Sequence, residues 1–354
     1  MEFFLHIGTN LEYFKLLNEG NLLSKGKSDR DLAGFFLQNF PGELAETISP
    51  QYEINFMAIR EIKKKFGQEV FSKIDGIYYG SDNCEYLAPY KHEIEEAISL
   101  FKEFNKIYPP HKTRAFTLVT PYVGNKMLAH LEETLEYLHN LSIKNPIEVV
   151  VNDLGVLRLL NTKYTNLKPV FGRLIHKLLK TPLIDTYGYG VHPAGELIKN
   201  KQASDIELLK AEIIKWQLKF YSSAEMSLEE YIGFLDRYKI ERLALDFMEK
   251  RDDLYKNNST IGTDLYYPWA LVFTGRLCDT SAIENPDRGN YATDDICPRT
   301  CNRYDIFYKL KTVGYNIIQR GNSAYRSELN LDYLPDEFTK NELNRFVFAP
   351  FITV

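Results

Sequence analysis

Along this chain, short apolar runs rich in β-branched and aromatic residues alternate with longer stretches whose apolar positions recur every three or four residues. The first pattern marks strands and the second marks helices with one buried stripe. Strands are predicted at Tyr52–Phe56, Ile74–Tyr79, Arg114–Thr120, Ile147–Val151, Pro169–Leu174, Leu218–Ser222, Glu241–Leu245 and Trp269–Phe273. Between them, His92–Phe104 places Ile94, Ala97, Ile98, Phe101 and Phe104 on one face of a helix. Lys126–Leu141 does the same with Met127, Leu128, Leu131, Leu135 and Leu138. Ser204-Asp205-Ile206-Glu207 and Ser227-Leu228-Glu229-Glu230 read as capping boxes, in which the serine oxygen takes an orphan N–H and the glutamate reaches back.

Eight strands with helical connections predict an α/β fold, a TIM-like (β/α)8 barrel, regular or distorted, wound by right-handed crossovers. A doubly wound open sheet is the alternative. The barrel is expected over residues 46–304, with an insertion rich in Gly, Pro and Tyr at about 181–203. Residues 1–45 are expected to form an N-terminal extension and 305–354 a C-terminal closing segment. In that segment Ile306–Leu310 and Tyr315–Gln319 read as a hairpin turned near Val313-Gly314.

The length, 354 residues, suits one such barrel with insertions. Apolar residues at 44% and charged residues at 26% support a full core rather than disorder. A net charge of −5 argues against a general nucleic-acid binder, which carries a basic stripe. No apolar run reaches the roughly 18 residues of a membrane span. Met1-Glu2-Phe3-Phe4-Leu5-His6 lacks the basic and long apolar regions of a signal peptide, so a cytoplasmic location is expected. In that reducing compartment four cysteines are ligands or free thiols rather than disulfides.

Those cysteines fall where barrel chemistry is placed, on loops after strands. Cys84 follows the second predicted strand and Cys278 the eighth, and Cys297-Pro298-Arg299-Thr300-Cys301 comes shortly after. Four thiolates at one rim can complete a 4Fe–4S cluster, with N–H groups near Gly80 and Gly275 as donors to sulfur and Arg276 and Arg299 as balancing charges. A structural zinc site, which usually pairs two close Cys knuckles, and four unrelated thiols are the competing readings.

The pattern Gly80…Cys84 after an early strand, then Gly275-Arg276-Leu277-Cys278, then Cys297-x₃-Cys301, resembles the UbiV-like proteins. These belong to the collagenase-like peptidase superfamily, peptidase family U-thirty-two. Asn152-Asp153-Leu154-Gly155-Val156-Leu157-Arg158 also resembles that family's fourth-strand segment, and the likeness covers roughly residues 50–310. The resemblance implies a TIM-like barrel and a 4Fe–4S cluster on Cys84, Cys278, Cys297 and Cys301. It further implies oxygen-independent hydroxylation of a small aromatic or quinone precursor, as in ubiquinone biosynthesis, with a UbiU-like barrel as partner and prephenate as oxygen donor. The chain departs from the family in a longer N-terminal extension, a longer stretch between Cys84 and Cys278, and a wider gap from Cys278 to Cys297. Two alternatives stand beside this reading: a collagenase-like peptidase, and a non-catalytic subunit that carries the cluster for a partner.

Other polar residues near strand ends are candidates for catalysis or binding. Asp153, with Asn152, follows the fourth strand and is equally a helix cap. Arg173 and His176 follow the fifth and can bind a carboxylate; the duller reading is a surface ion pair. Glu225 and Asp246 follow the sixth and seventh and can pair as acid and base, or serve as caps. His192 lies in the insertion, and Tyr187–Tyr189 and Tyr266–Tyr267 can line an aromatic pocket or pack in the core. There is no Gly-x-Ser-x-Gly elbow, His-Glu-x-x-His helix, Walker loop or Gly-x-Gly-x-x-Gly fingerprint.

Overall fold

A computed structural model of the chain describes residues 1–19, 27–37, 49–108, 114–141, 145–175, 229–249, 261–283, 297, 299–302, 304–309 and 316–352. Eight parallel strands close a barrel. They are β1 (Glu2–His6), β2 (Gly76–Gly80), β3 (Ala115–Thr120), β4 (Glu148–Val151), β5 (Lys168–Phe171), β6 (Arg242–Asp246), β7 (Gly262–Tyr267) and β12 (Arg345–Phe348). Around the barrel they run β1-β12-β7-β6-β5-β4-β3-β2. A second sheet, antiparallel, is built in the order β8 (Trp269–Thr274), β11 (Ser323–Ser327), β10 (Asn316–Arg320), β9 (Ile306–Lys309).

Strand alternation sorts the side chains. Phe4, Tyr78, Val119, Val150, Val170, Ala244, Tyr266 and Val347, one from each barrel strand, form a single buried cluster. Their sequence neighbours, such as Phe3, Leu5, Ile77 and Leu265, point outward into the larger core shared with the helices. A period of two produces this, because successive side chains leave a strand on opposite faces. Among the helices are α1 (Leu11–Glu19), α2 (Asp29–Leu37), α3 (Ser49–Phe66), α4 (Lys91–Ile107), α5 (Asn125–Asn140), α6 (Leu154–Thr162) and α7 (Glu229–Arg237). In α4 the buried residues are the predicted stripe, Ile94, Ala97, Ile98, Phe101 and Phe104. In α5, Met127, Leu131, Leu135 and Leu138 are buried as expected.

The barrel's ends differ from the expected boundaries. Its first strand is β1, inside the segment expected as an extension, and its last is β12, in the closing segment; Phe3 lies opposite Phe346. The barrel therefore runs from one end of the chain to the other rather than over 46–304. Tyr52–Phe56 lies within α3, whose buried positions Asn55, Ala58, Ile59 and Ile62 follow a helical period. Five residues were too short a window to show that period. Trp269–Phe273 is a strand, β8, but it belongs to the second sheet. The predicted hairpin is present as β9 and β10. Leu218–Ser222, both capping serines and the insertion lie outside the described residues.

Candidate functional site

All barrel strands point their C-terminal ends the same way, so every residue just after them gathers at one mouth. Inward-facing positions one step above the central cluster bring His6 from β1 and Asp246 from β6 to this end. Loops add Asp82 after β2, Asn152 after β4 and Arg173 after β5. Arg173 is the hub. Its Nη2 donates to Asp82 Oδ2 at 2.8 Å and its Nη1 to Asp246 Oδ1 at 2.8 Å and to the Trp269 carbonyl at 3.3 Å. The guanidinium lies 4.4 Å from the Tyr266 ring centre and 5.7 Å from that of Tyr325 on β11. Burial alone would lower its pKa, but Asp82 and Asp246 hold it well above the ordinary value, so Arg173 stays charged.

Two glycines permit this crowding. Gly80 sits at φ +134, and a Cβ there would meet the Val119 carbonyl oxygen at 2.1 Å. A Cβ on Gly172 would meet Asn152 Oδ1 at 2.1 Å. Asn152 uses that room to accept from Leu174 N at 3.0 Å and donate to the Thr120 carbonyl at 2.9 Å, tying three strand ends together.

Cys84 follows barrel strand β2, while Cys278, Cys297 and Cys301 lie on loops of the second sheet, after β8 and before β9. Cys84 closes a turn with Ser81, whose Oγ accepts from Cys84 N at 3.1 Å. Cys278 follows β8 and precedes the short 3-10 turn Asp279–Ala282, which contacts a second such turn, Thr300–Asn302, holding Cys301. Cys84 and Cys301 share one apolar cluster with Trp269, Leu271, Ile318 and Tyr325. None of the four cysteines is in a disulfide. Their thiols lie within electrostatic reach of one another. Cys84 is pushed far up by burial first, then by Cys301, Cys297 and Cys278. Cys301 is pushed up to about 12 by burial, with Cys278 and Cys297 adding and Arg320 opposing.

Two of the sulfurs accept a backbone N–H from the residue two positions on, and a third has a hydroxyl at that position. Tyr86 N–H bonds to Cys84 and Arg299 N–H to Cys297 Sγ at 3.4 Å, while Thr280 Oγ1 lies 3.4 Å from Cys278 Sγ. The N–H groups of Gly80 and Gly275 are used elsewhere, on the carbonyls of Gly8 and Asn322. Arg299 reaches Glu93, and Arg320 Nε donates to the Cys301 carbonyl at 2.9 Å. Among the described residues, no three His, Cys, Asp or Glu side chains converge tightly enough to hold a single metal ion. A cluster takes one thiolate per iron and so needs a wider set. The four thiols come from three chain segments, and three of the sulfurs have a polar group beside them.

Of the candidates, Arg173 and Asp246 meet directly and Asn152 flanks them. Asp153 faces away and caps α6, accepting from Gly155 N at 2.6 Å and Val156 N at 3.1 Å. Tyr266 lines the barrel interior, whereas Tyr267 packs outside it. His176, Glu225, His192 and Tyr187–Tyr189 lie outside the described residues. His6, Asp82, Tyr325 and Arg320 are further site residues. Asp82 carried a signal, as a polar residue just after the second predicted strand, and His6 a weaker one, as the position two beyond Phe4 in an apolar run.

Fold and rim together define the class: a TIM-like α/β barrel with a buried, charged mouth and four cysteines above it. No family model, no curated protein and no solved structure matches this chain. Among the described residues, no helix is long and apolar enough to cross a membrane.

Proposed function

We propose that this chain is an iron–sulfur protein that holds a 4Fe–4S cluster on Cys84, Cys278, Cys297 and Cys301. The observation that carries the reading is the convergence of all four cysteines on one rim, each within electrostatic reach of others, although nearly 200 positions separate Cys84 from Cys278. Burial and the neighbouring cysteines both oppose ionisation of these thiols, and iron would relieve that by binding the thiolates. Buried Cys84 and Cys301 and the more exposed Cys278 and Cys297 would hold the cluster. Tyr86, Arg299 and Thr280 orient the sulfurs, and Trp269 and Tyr325 exclude water. When bound, the cluster supplies one-electron chemistry.

The cysteine spacing and its resemblance to the UbiV-like proteins extend the proposal to a subunit of an oxygen-independent hydroxylation system. It would act in the cytoplasm on a small aromatic or quinone precursor, with a UbiU-like partner and prephenate as oxygen donor. Iron and acid-labile sulfide per chain, measured on protein purified without oxygen, test the cluster. About four of each in the wild type, lost in Cys297→Ala, is the expected result. Zinc, or no metal, would overturn it. Co-purification with a second barrel protein tests the partner.

A further inference from the structure

An ion pair with little exposure lies beside Cys301. β9 and β10 run antiparallel with Gln319 opposite Ile306, so Arg320 and Asp305 are the next residues to face each other. Arg320 Nε lies 3.4 Å from Asp305 Oδ1, and the two side chains are only 8% and 9% exposed. The same Nε donates to the Cys301 carbonyl at 2.9 Å, and Nη1 donates to the Ile352 carbonyl at 3.1 Å. Gln51, from α3, donates to Asp305 Oδ2. Both charges are therefore fixed in place next to one of the four cysteines.

The two charges act on the Cys301 thiol with opposite signs: Arg320 favours its ionised form and Asp305 opposes it. The arginines singled out from the sequence are less well placed. Arg276 is exposed, and Arg299 is partly exposed and bridged to Glu93, so water and salt screen both. A buried charge is screened far less. Reduction adds one negative charge to a cluster, which a nearby fixed cation favours and a nearby fixed anion disfavours. We propose that Arg320 and Asp305 set the reduction potential of the cluster, Arg320 raising it and Asp305 lowering it. This inference rests on the 4Fe–4S reading above.

The midpoint potential of the full chain, purified without oxygen and assayed for iron, tests this. It is measured at about pH 8, so that Asp305, whose pKa burial raises, is ionised. Arg320→Gln should disfavour reduction about tenfold, a downward shift of about 59 mV for one electron. Arg320→Lys keeps the charge and should stay closer to the wild type. Asp305→Asn, nearly the same shape without the charge, should favour reduction several-fold and move the potential upward. A purely structural role would not drive the two variants in opposite directions. Shifts of the same sign, or an unmoved potential in Asp305→Asn, would overturn the inference. Should Arg320→Gln lose its iron, the sign of the Asp305→Asn shift decides alone. Iron-free wild type sinks the cluster and this inference together, whereas bound iron with unmoved potentials sinks this inference only.

Discussion

Arg173 Nη2 and Asp82 Oδ2 lie 2.8 Å apart, only 2% and 0% exposed, and this pair ties the end of β5 to the loop that carries Cys84. The same guanidinium holds Asp246. Removing it leaves two buried carboxylates without their cation. Arg173→Met is expected to cost roughly 3–5 kcal/mol in urea unfolding at pH 7. Because Asp82 is two residues from Cys84, iron retention should fall as well. An unchanged unfolding midpoint would mean that the mouth is solvated.

His6 gives a pH dependence with a definite sign. Its folded pKa is about 4, against 6.5 for a free ring. The unfolded chain therefore takes up this proton below 6.5, while the folded chain resists until about 4. Its contribution is full above 6.5 and is lost as the pH falls through that window, amounting to about 3 kcal/mol. Unfolding of wild type and of His6→Asn at pH 7.5 and 4.5 isolates it. The variant should lose less stability on acidification than the wild type.

Thr280 is fully buried with its hydroxyl on Cys278 Sγ. In the proposed cluster a ligated thiolate could only accept, so Thr280 would donate, and the bond would favour the more negative, reduced form. Thr280→Val should keep its iron but shift the reduction potential downward. A tenfold loss in the reduction equilibrium corresponds to about 59 mV for one electron. Dithionite titration followed by absorption reads the shift. An unmoved potential would show that the hydroxyl serves only packing.

Asp153 is a helix cap by geometry, with its carboxylate on two backbone N–H groups of α6. Asp153→Ala should cost about 1 kcal/mol of stability and leave iron content unchanged. A loss of iron out of proportion to stability would give Asp153 a role beyond the cap.

Much of the barrel was legible in the sequence because strand and helix periods are local. β2, β3, β4, β5 and β6 stand close to where their apolar runs predicted, and the buried stripes of α4 and α5 follow from spacing alone. The cysteines were legible as loop residues. That Cys278 comes to the rim on a separate sheet, rather than on a barrel strand, was not, because Trp269–Thr274 has the pattern of either.

The sequence by itself determined the fold class, the positions of most strands, and four thiols placed on loops. Closure was decided in three dimensions. Phe3 and Phe346 pair across more than 340 positions, and no local pattern announces that β1 and β12 are neighbours. The charged mouth was decided there too. His6, Asp82, Arg173 and Asp246 come from four separate segments, and each alone reads as an ordinary polar residue near a strand end. Their meaning arises only when a parallel barrel turns all its strand ends to one side and buries them together, where an unpaired charge is costly and a paired one fixes geometry.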